Sequence, residues 1–189
     1  MTTNILLVGV GGQGTILTSK ILSEGLMQLG YDVKMSEIHG MAQRGGSVTT
    51  QIKFGDKVYS PLIDVGEADV LVAFEKAEAA RYIQFLKNKG NLIVNDCEIY
   101  PLSVLIGAVE YPEQIIEKLQ AQIDNVLVVD GERIANEIGN SRVQNIVLLG
   151  AVIKALGLDK VDWISILKQF IPERLQDVNI KAFQTGLAL

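Results

Sequence analysis

Among 189 residues the chain holds one cysteine, Cys97, and one histidine, His39. A lone thiol closes no intramolecular disulfide and falls short of the roughly four thiolates an iron–sulfur cluster needs. One imidazole is equally poor ground for a histidine-based zinc site. Positive charge is scarce as well: 17 Lys and Arg stand against 22 Asp and Glu, a net charge of −5. Without a basic stripe to displace counterions, nucleic acid is not an expected partner. No apolar run reaches membrane-spanning length. The run Pro101 to Val109 is too short, and that from Val143 to Leu158 is interrupted by Gln144, Asn145 and Lys154. Residues 1–15 lack a basic start followed by a cleavable apolar segment, so a cytoplasmic protein with no membrane attachment is expected. Repeats, low-complexity tracts and linkers are also missing, and the length suits a single domain over residues 1–189.

What the chain does have is apolar mass. Hydrophobic residues make up 48% of it, with a mean hydropathy of +0.27. That excess fits a tightly packed core or a covered partner interface. Its most informative stretch is Asn4–Thr15, NILLVGVGGQGT. The apolar run Ile5 to Val8 reads as a buried strand. Gly9, Gly11, Gly12 and Gly14 then punctuate a turn, and Leu17, Ile21, Leu22, Leu26 and Leu29 follow at helical spacing. A strand, a glycine turn and a helix form the phosphate-cradling unit of dinucleotide-binding folds, and Gly9, Gly11 and Gly14 satisfy G-x-G-x-x-G. Glycines allow backbone to approach a ligand closely, while the helix start offers unpaired N–H groups to an anion. A tight turn with no ligand fits the same residues.

Further along, Val33–Ile38 reads as a second strand and residues 39–46 as a loop. Val48, Thr50, Ile52 and Phe54 alternate with polar residues, predicting a half-buried strand. Gly55-Asp56 then predicts a two-residue turn with Lys57–Ser60 as the return strand of a β-hairpin. Asp69–Phe74 and Asn91–Val94 predict buried strands around a helix from Lys76 to Asn88 that stops at Gly90. Within Tyr100–Tyr111 a short strand is expected at Val104–Ile106. Pro112–Gln122 predicts a helix with Ile115, Ile116 and Leu119 inward, Val126–Val129 a strand, and Gly131–Ile138 a helix. Further helices are expected over Ser141–Leu156, Val161–Phe170 and Asn179–Leu187. The alternation predicts an α/β fold: a three-layer α/β/α domain whose mostly parallel, Rossmann-like sheet carries an antiparallel hairpin.

A second cluster runs from Glu37 to Ser47, EIHGMAQRGGS. In an open parallel sheet the loops after the first two strands share the carboxyl edge, where ligands bind. Arg44 beside Gly45 and Gly46 is therefore expected to face the same crevice as Gly11–Gly14. A planar guanidinium suits bidentate pairing with phosphate or carboxylate. A surface ion pair for Arg44, with the glycines merely opening the hairpin, remains the alternative. Glu37 sits where a ribose-binding acid would in an NAD domain, but a hairpin in place of the next crossover helix argues against that cofactor. His39 lacks the acid and nucleophile of a catalytic set, and Cys97 reads as a buried structural thiol.

GVGGQG after the first strand, followed by SEIHGMAQRGGSVTTQIKFG, resembles the gamma subunit or gamma domain of the 2-oxoacid:ferredoxin oxidoreductases. NSRVQNIVLLGAV at Asn140–Val152 and NIKAFQTG at Asn179–Gly186 extend the likeness along essentially the whole chain. The variant EIHGMAQRGGSV is most similar to the beta subunit of the family's indolepyruvate branch. The resemblance implies oxidative decarboxylation of a 2-oxoacid with coenzyme A to acyl-CoA and CO2, with electrons passed to ferredoxin. It places thiamine diphosphate, Mg and the 4Fe–4S clusters on a large partner subunit, through which ferredoxin is also met. This chain is then expected to hold no cofactor by itself, to be inactive alone, and to have no catalytic or metal-binding residue. A homodimer in isolation stays open. The family's glycine loop maps onto Gly9, Gly11, Gly12, Gln13 and Gly14, and its second loop onto Gln43, Arg44, Gly45 and Gly46. Both are expected to contact the phosphates of coenzyme A as a shared ligand. Two other readings stand: a free-standing NAD(P)- or flavin-binding protein, and a purely structural subunit with no small-molecule site.

Overall fold

The computed structural model describes residues 2–40, 45–158 and 160–189. Its central strand is β1 (Thr2–Val10), in which Ile5 to Val10 are all buried. Alternate side chains of a strand point to opposite faces, so this uninterrupted apolar run feeds two cores at once. Ile5 and Leu7 join one core; Leu6 and Val8 join the other.

The remaining strands are β2 (Asp32–His39), β3 (Ser47–Gly55), β4 (Ala68–Ala73), β5 (Leu86–Asn95) and β6 (Val126–Val129), in the order β2-β3-β1-β4-β5-β6. β1, β4, β5 and β6 run parallel, whereas β3 is antiparallel to both β1 and β2. The first core is covered by α1 (Thr15–Gln28), α5 (Gly131–Ile138), α6 (Gln144–Ala155), α7 (Trp163–Phe170) and α8 (Gln176–Leu187). The second is covered by α2 (Lys76–Tyr82) and α4 (Ile115–Gln122). The expected three-layer α/β/α arrangement with a mostly parallel sheet is therefore the one found. No helix among the described residues is long and apolar enough to cross a membrane.

Three local expectations are corrected. The hairpin joins β2 to β3 rather than β3 to Lys57–Ser60. β3 is inserted between β2 and β1, with Gly55 opposite both Thr2 and Asp32, so it has no edge left for a return strand. The chain leaves the sheet instead, held where the Val58 N–H donates to the Asp32 carboxylate at 2.9 Å. The helix from Lys76 ends at Tyr82, and Gly90 lies inside β5 rather than stopping a helix. Strand pairing decides this, because Leu86 already partners Ala68 in the ladder. A methyl at Gly90 would approach the Leu86 side chain to 2.7 Å and the Ala68 carbonyl to 3.1 Å. Finally, Val104–Ile106 is no strand. A single helical turn, α3 (Leu102–Leu105), occupies that place.

The tightest helix crossing is that of α6 and α8. A Cβ on Gly186 would lie 2.0 Å from the Val147 carbonyl oxygen, and one on Gly150 2.4 Å from that of Phe183. Both obstacles are backbone, so neither can step aside. Gly186→Ala is expected to destabilise the chain by about 1–3 kcal/mol, the usual cost of overpacking. Urea unfolding measures it, and a midpoint unchanged from wild type would contradict the crossing.

Candidate functional site

At the carboxyl end of β1 the chain turns through Gly12 (φ +104°) and Gly14 (φ +83°), left-handed conformations that favour glycine. Gly14 caps α1, whose first turn has neither a side-chain cap nor an acidic residue. A Cβ on Gly14 would also sit 2.7 Å from the Asn145 amide nitrogen. Gln13 shapes this turn from within. Its Oε1 accepts from the Val10 N–H at 2.7 Å and its Nε2 donates to the Phe74 carbonyl at 2.7 Å. That side chain thus ties the end of β1 to the end of β4.

The second glycine cluster lies against the first. The Gly11 N–H donates to the Gly46 carbonyl at 2.8 Å, and the Gly45 N–H donates to the Gly11 carbonyl at 3.4 Å. The next residue, Ser47, donates its hydroxyl to the buried Glu78 carboxylate of α2, which also pairs with Arg81 Nε at 3.1 Å. The structure therefore brings Gly9, Gly11, Gly12, Gln13 and Gly14 together with Gly45 and Gly46. Gln43 and Arg44 lie outside the described residues.

Crevices open on both sides of the turn. One, of about 530 Å³, is lined by Gly12, Gln13, Asn95, Cys97, Arg142 and Asn145, among others. It stands between the carboxyl ends of β1 and β4, whose following helices go to opposite faces, and this is where open α/β sheets place ligands. Asn145, only 6% exposed, lines this crevice. The Arg142 guanidinium lines the same space, without an ion-pair partner among the described residues. The other crevice, of about 590 Å³, is bounded by Gly11, Gly14, Ile16, Lys20 and His39. Glycine backbone and an Arg in the first crevice, and a helix start beside Lys20 in the second, are chemistry suited to an anion.

Glu37 is not part of it. One carboxylate oxygen is buried without a partner, and the residue pairs across the ladder with Thr50 of β3. With β3 interposed, Glu37 is two strands from β1, roughly 10 Å by the usual strand spacing, rather than one strand away as a ribose-binding acid requires. Asn95, Arg142 and Asn145 escaped the sequence reading because they lie far downstream of the glycine motif. Arg142 and Asn145 fall within NSRVQNIVLLGAV, which the sequence offered only as part of the family likeness and not as a site.

Glu75, buried at the start of α2, accepts from the Glu78 N–H at 2.9 Å, from the Ile99 N–H at 3.4 Å and from the Tyr111 hydroxyl. Burial and the Glu75 contact raise the Tyr111 phenol above its ordinary range. Cys97 is half-buried, and desolvation, followed by the nearby Glu75 and Glu132 charges, raises its thiol pKa.

Two outcomes follow from this geometry. Gln13→Ala leaves the Val10 N–H unpaired, while the Phe74 carbonyl keeps the Asn95 amide at 3.3 Å. A loss of about 1–3 kcal/mol in urea unfolding is expected, with Gln13→Glu no better because a carboxylate cannot donate to Phe74. A raised thiol pKa means less thiolate, so Cys97 should alkylate more slowly with iodoacetamide at pH 8 than a free cysteine, gaining rate as pH rises. Alkylation as fast as the free thiol would contradict the burial described.

The sequence matches the family described as pyruvate ferredoxin/flavodoxin oxidoreductase over residues 4–189. It is 40% identical over 190 residues to the indolepyruvate oxidoreductase subunit IorB of Methanothermobacter thermautotrophicus, covering 98% of this chain and 96% of that one. The protein of the same name from Pyrococcus horikoshii is 38% identical over 189 residues, covering 97% and 94%. Among solved structures, the keto/oxoacid ferredoxin oxidoreductase gamma subunit of Geobacter sulfurreducens superposes with a TM-score of 0.71 at 26% identity, over 98% of this chain and 96% of that one. The chain belongs to the pyruvate ferredoxin/flavodoxin oxidoreductase family, with the part of a subunit in 2-oxoacid:ferredoxin oxidoreduction.

Proposed function

We propose that this chain is the smaller, gamma-type subunit of an indolepyruvate:ferredoxin oxidoreductase and that its glycine turn receives the phosphates of coenzyme A. In the overall reaction the 2-oxoacid loses its carboxylate as CO2 and the remaining acyl group forms a thioester with coenzyme A. Two electrons go to ferredoxin and one proton is released. The observation that carries the reading is the crevice at Gly12 and Gln13, which Arg142 and Asn145 also line. Gly45 and Gly46, bonded to Gly11, extend the same edge, and Gln43 and Arg44 are assigned to the same anion by their place beside them in sequence. Identity to relatives named for indolepyruvate supports the choice of substrate.

The electron-transfer groups do not fit this chain. Cys97 is its only thiol, and no cluster of three His, Cys, Asp or Glu suited to a metal occurs among the described residues. The 4Fe–4S clusters are therefore assigned to a larger partner subunit, and thiamine diphosphate and Mg with them, as the family resemblance implies. An NAD-binding reading is disfavoured by the placement of Glu37 two strands from β1.

The test is kinetic, on the assembled complex of this chain with the large subunit. Arg142→Ala and Arg44→Ala should each raise the KM for coenzyme A by roughly tenfold or more, as expected for losing about 1.5–3 kcal/mol of charged hydrogen bonding. The KM for indolepyruvate should stay as in wild type. Unchanged kinetics for both substrates would remove the coenzyme A assignment. Turnover by this chain without a second polypeptide would remove the subunit reading.

A further inference from the structure

α3 follows Pro101 and ends at a left-handed Gly107 (φ +73°), where the Gly107 N–H donates to the Val104 carbonyl and the Ala108 N–H to that of Ser103. Leu102, Leu105 and Ile106 stand at the i, i+3, i+4 spacing of one helical face, and Val109 follows just past the turn at Gly107. Such a face ordinarily meets a core. Here these four side chains are 72%, 67%, 69% and 54% exposed, and α3 buries none of its own residues. A contiguous apolar strip differs from the scattered exposed leucines that any surface carries, and it marks an interaction site.

Tyr100 and Tyr111, which bracket this segment in sequence, line a groove of about 450 Å³ together with Asp96, Glu98, Glu113 and Glu117. The two tyrosine rings stand 5.1 Å apart at 54°. Lys76, the one cation in the groove, is already held by Asp96 at 3.1 Å and Glu98 at 2.7 Å. Glu113 and Glu117 are exposed and have no ion-pair partner among the described residues. Carboxylates beside aromatic rings suit the head of a lysine or arginine. The chemistry of the missing surface is therefore apolar with a basic flank. A second copy of this chain, itself at −5, would bring acid against acid.

We propose that the α3 strip and the acidic groove form the docking surface for the large subunit of the enzyme, which presents an apolar patch and inserts a lysine or arginine between Tyr100 and Glu113. This rests on the subunit role proposed above. The apolar strip supplies the water-excluding contact, and the acidic groove sets orientation and rate of encounter.

The experiment measures binding of the full-length chain to the separately purified large subunit by calorimetry and size-exclusion chromatography. Leu105→Ser with Ile106→Ser should weaken binding at least about tenfold. Glu113→Lys with Glu117→Lys should weaken it by about the same factor at low salt, and the difference should shrink at high salt as the charges are screened. Leu62→Ser, also at an exposed apolar position, should bind as wild type. Both double variants binding as tightly as wild type would overturn the docking surface and leave the subunit role standing. A wild-type chain that fails to bind the large subunit would overturn both. A wild-type homodimer that the serine pair splits would seat a second copy on the strip, and the proposal would also fall.

Discussion

The structure depends on β1 being paired along both edges. β3 bonds it antiparallel over Thr2 to Val10, and β4 bonds it parallel over Ile5 to Val8. A strand held on both sides and buried on both faces cannot shift register without exposing one apolar set to water. The position of its last residue is thereby set, and with it the start of the glycine turn. Because β3 ends its pairing at Ser47 opposite Val10, the Gly45–Gly46 backbone arrives beside Gly11. The meeting of the two glycine clusters follows from sheet register.

Around this point, side chains join loops that the sheet alone would leave apart. Gln13 links the ends of β1 and β4 through two backbone groups. Glu78 fastens the start of β3 to α2, and Glu75 fastens α2 to Ile99 and Tyr111 on the loop beyond β5. Both carboxylates are buried, and each has its oxygens met by N–H, hydroxyl or guanidinium donors, which makes such burial tolerable. α2 thus connects the glycine edge to the segment bearing α3. The crevice and the apolar strip stand on neighbouring parts of one rigid scaffold.

Function in this fold resides in grafted loops rather than in the sheet. The doubly wound half supplies a crevice at the β1/β4 switch, while the inserted β3 removes the neighbour that a ribose-binding acid would need. The same glycine pattern that suggests a dinucleotide site is therefore housed in a sheet without the adjacent acidic strand end such a site uses.

The amino-acid pattern by itself determined much of this protein. The runs Ile5–Val8 and Asp69–Phe74 read as buried strands and Val126–Val129 as a further strand, because each is short, mostly apolar and bounded by turn residues. The glycines after Val10 had to form a turn, and the spacing of Leu17 to Leu26 had to form a helix. Tertiary structure decided what local pattern leaves ambiguous. Gly55-Asp56 is as good a hairpin turn as any, yet no hairpin forms there because β1 already occupies the edge a return strand would use. Residues 83–88 continue a helical pattern, but pairing with β4 claims Leu86 for the sheet. Asn145 reached the glycine turn only because α6 packs against α1, where Thr18 Oγ1 donates to its carbonyl at 3.4 Å across 127 residues of chain. Periodicity records which face of an element is apolar, whereas strand order and the meeting of distant polar groups depend on competition for edges and space across the whole fold.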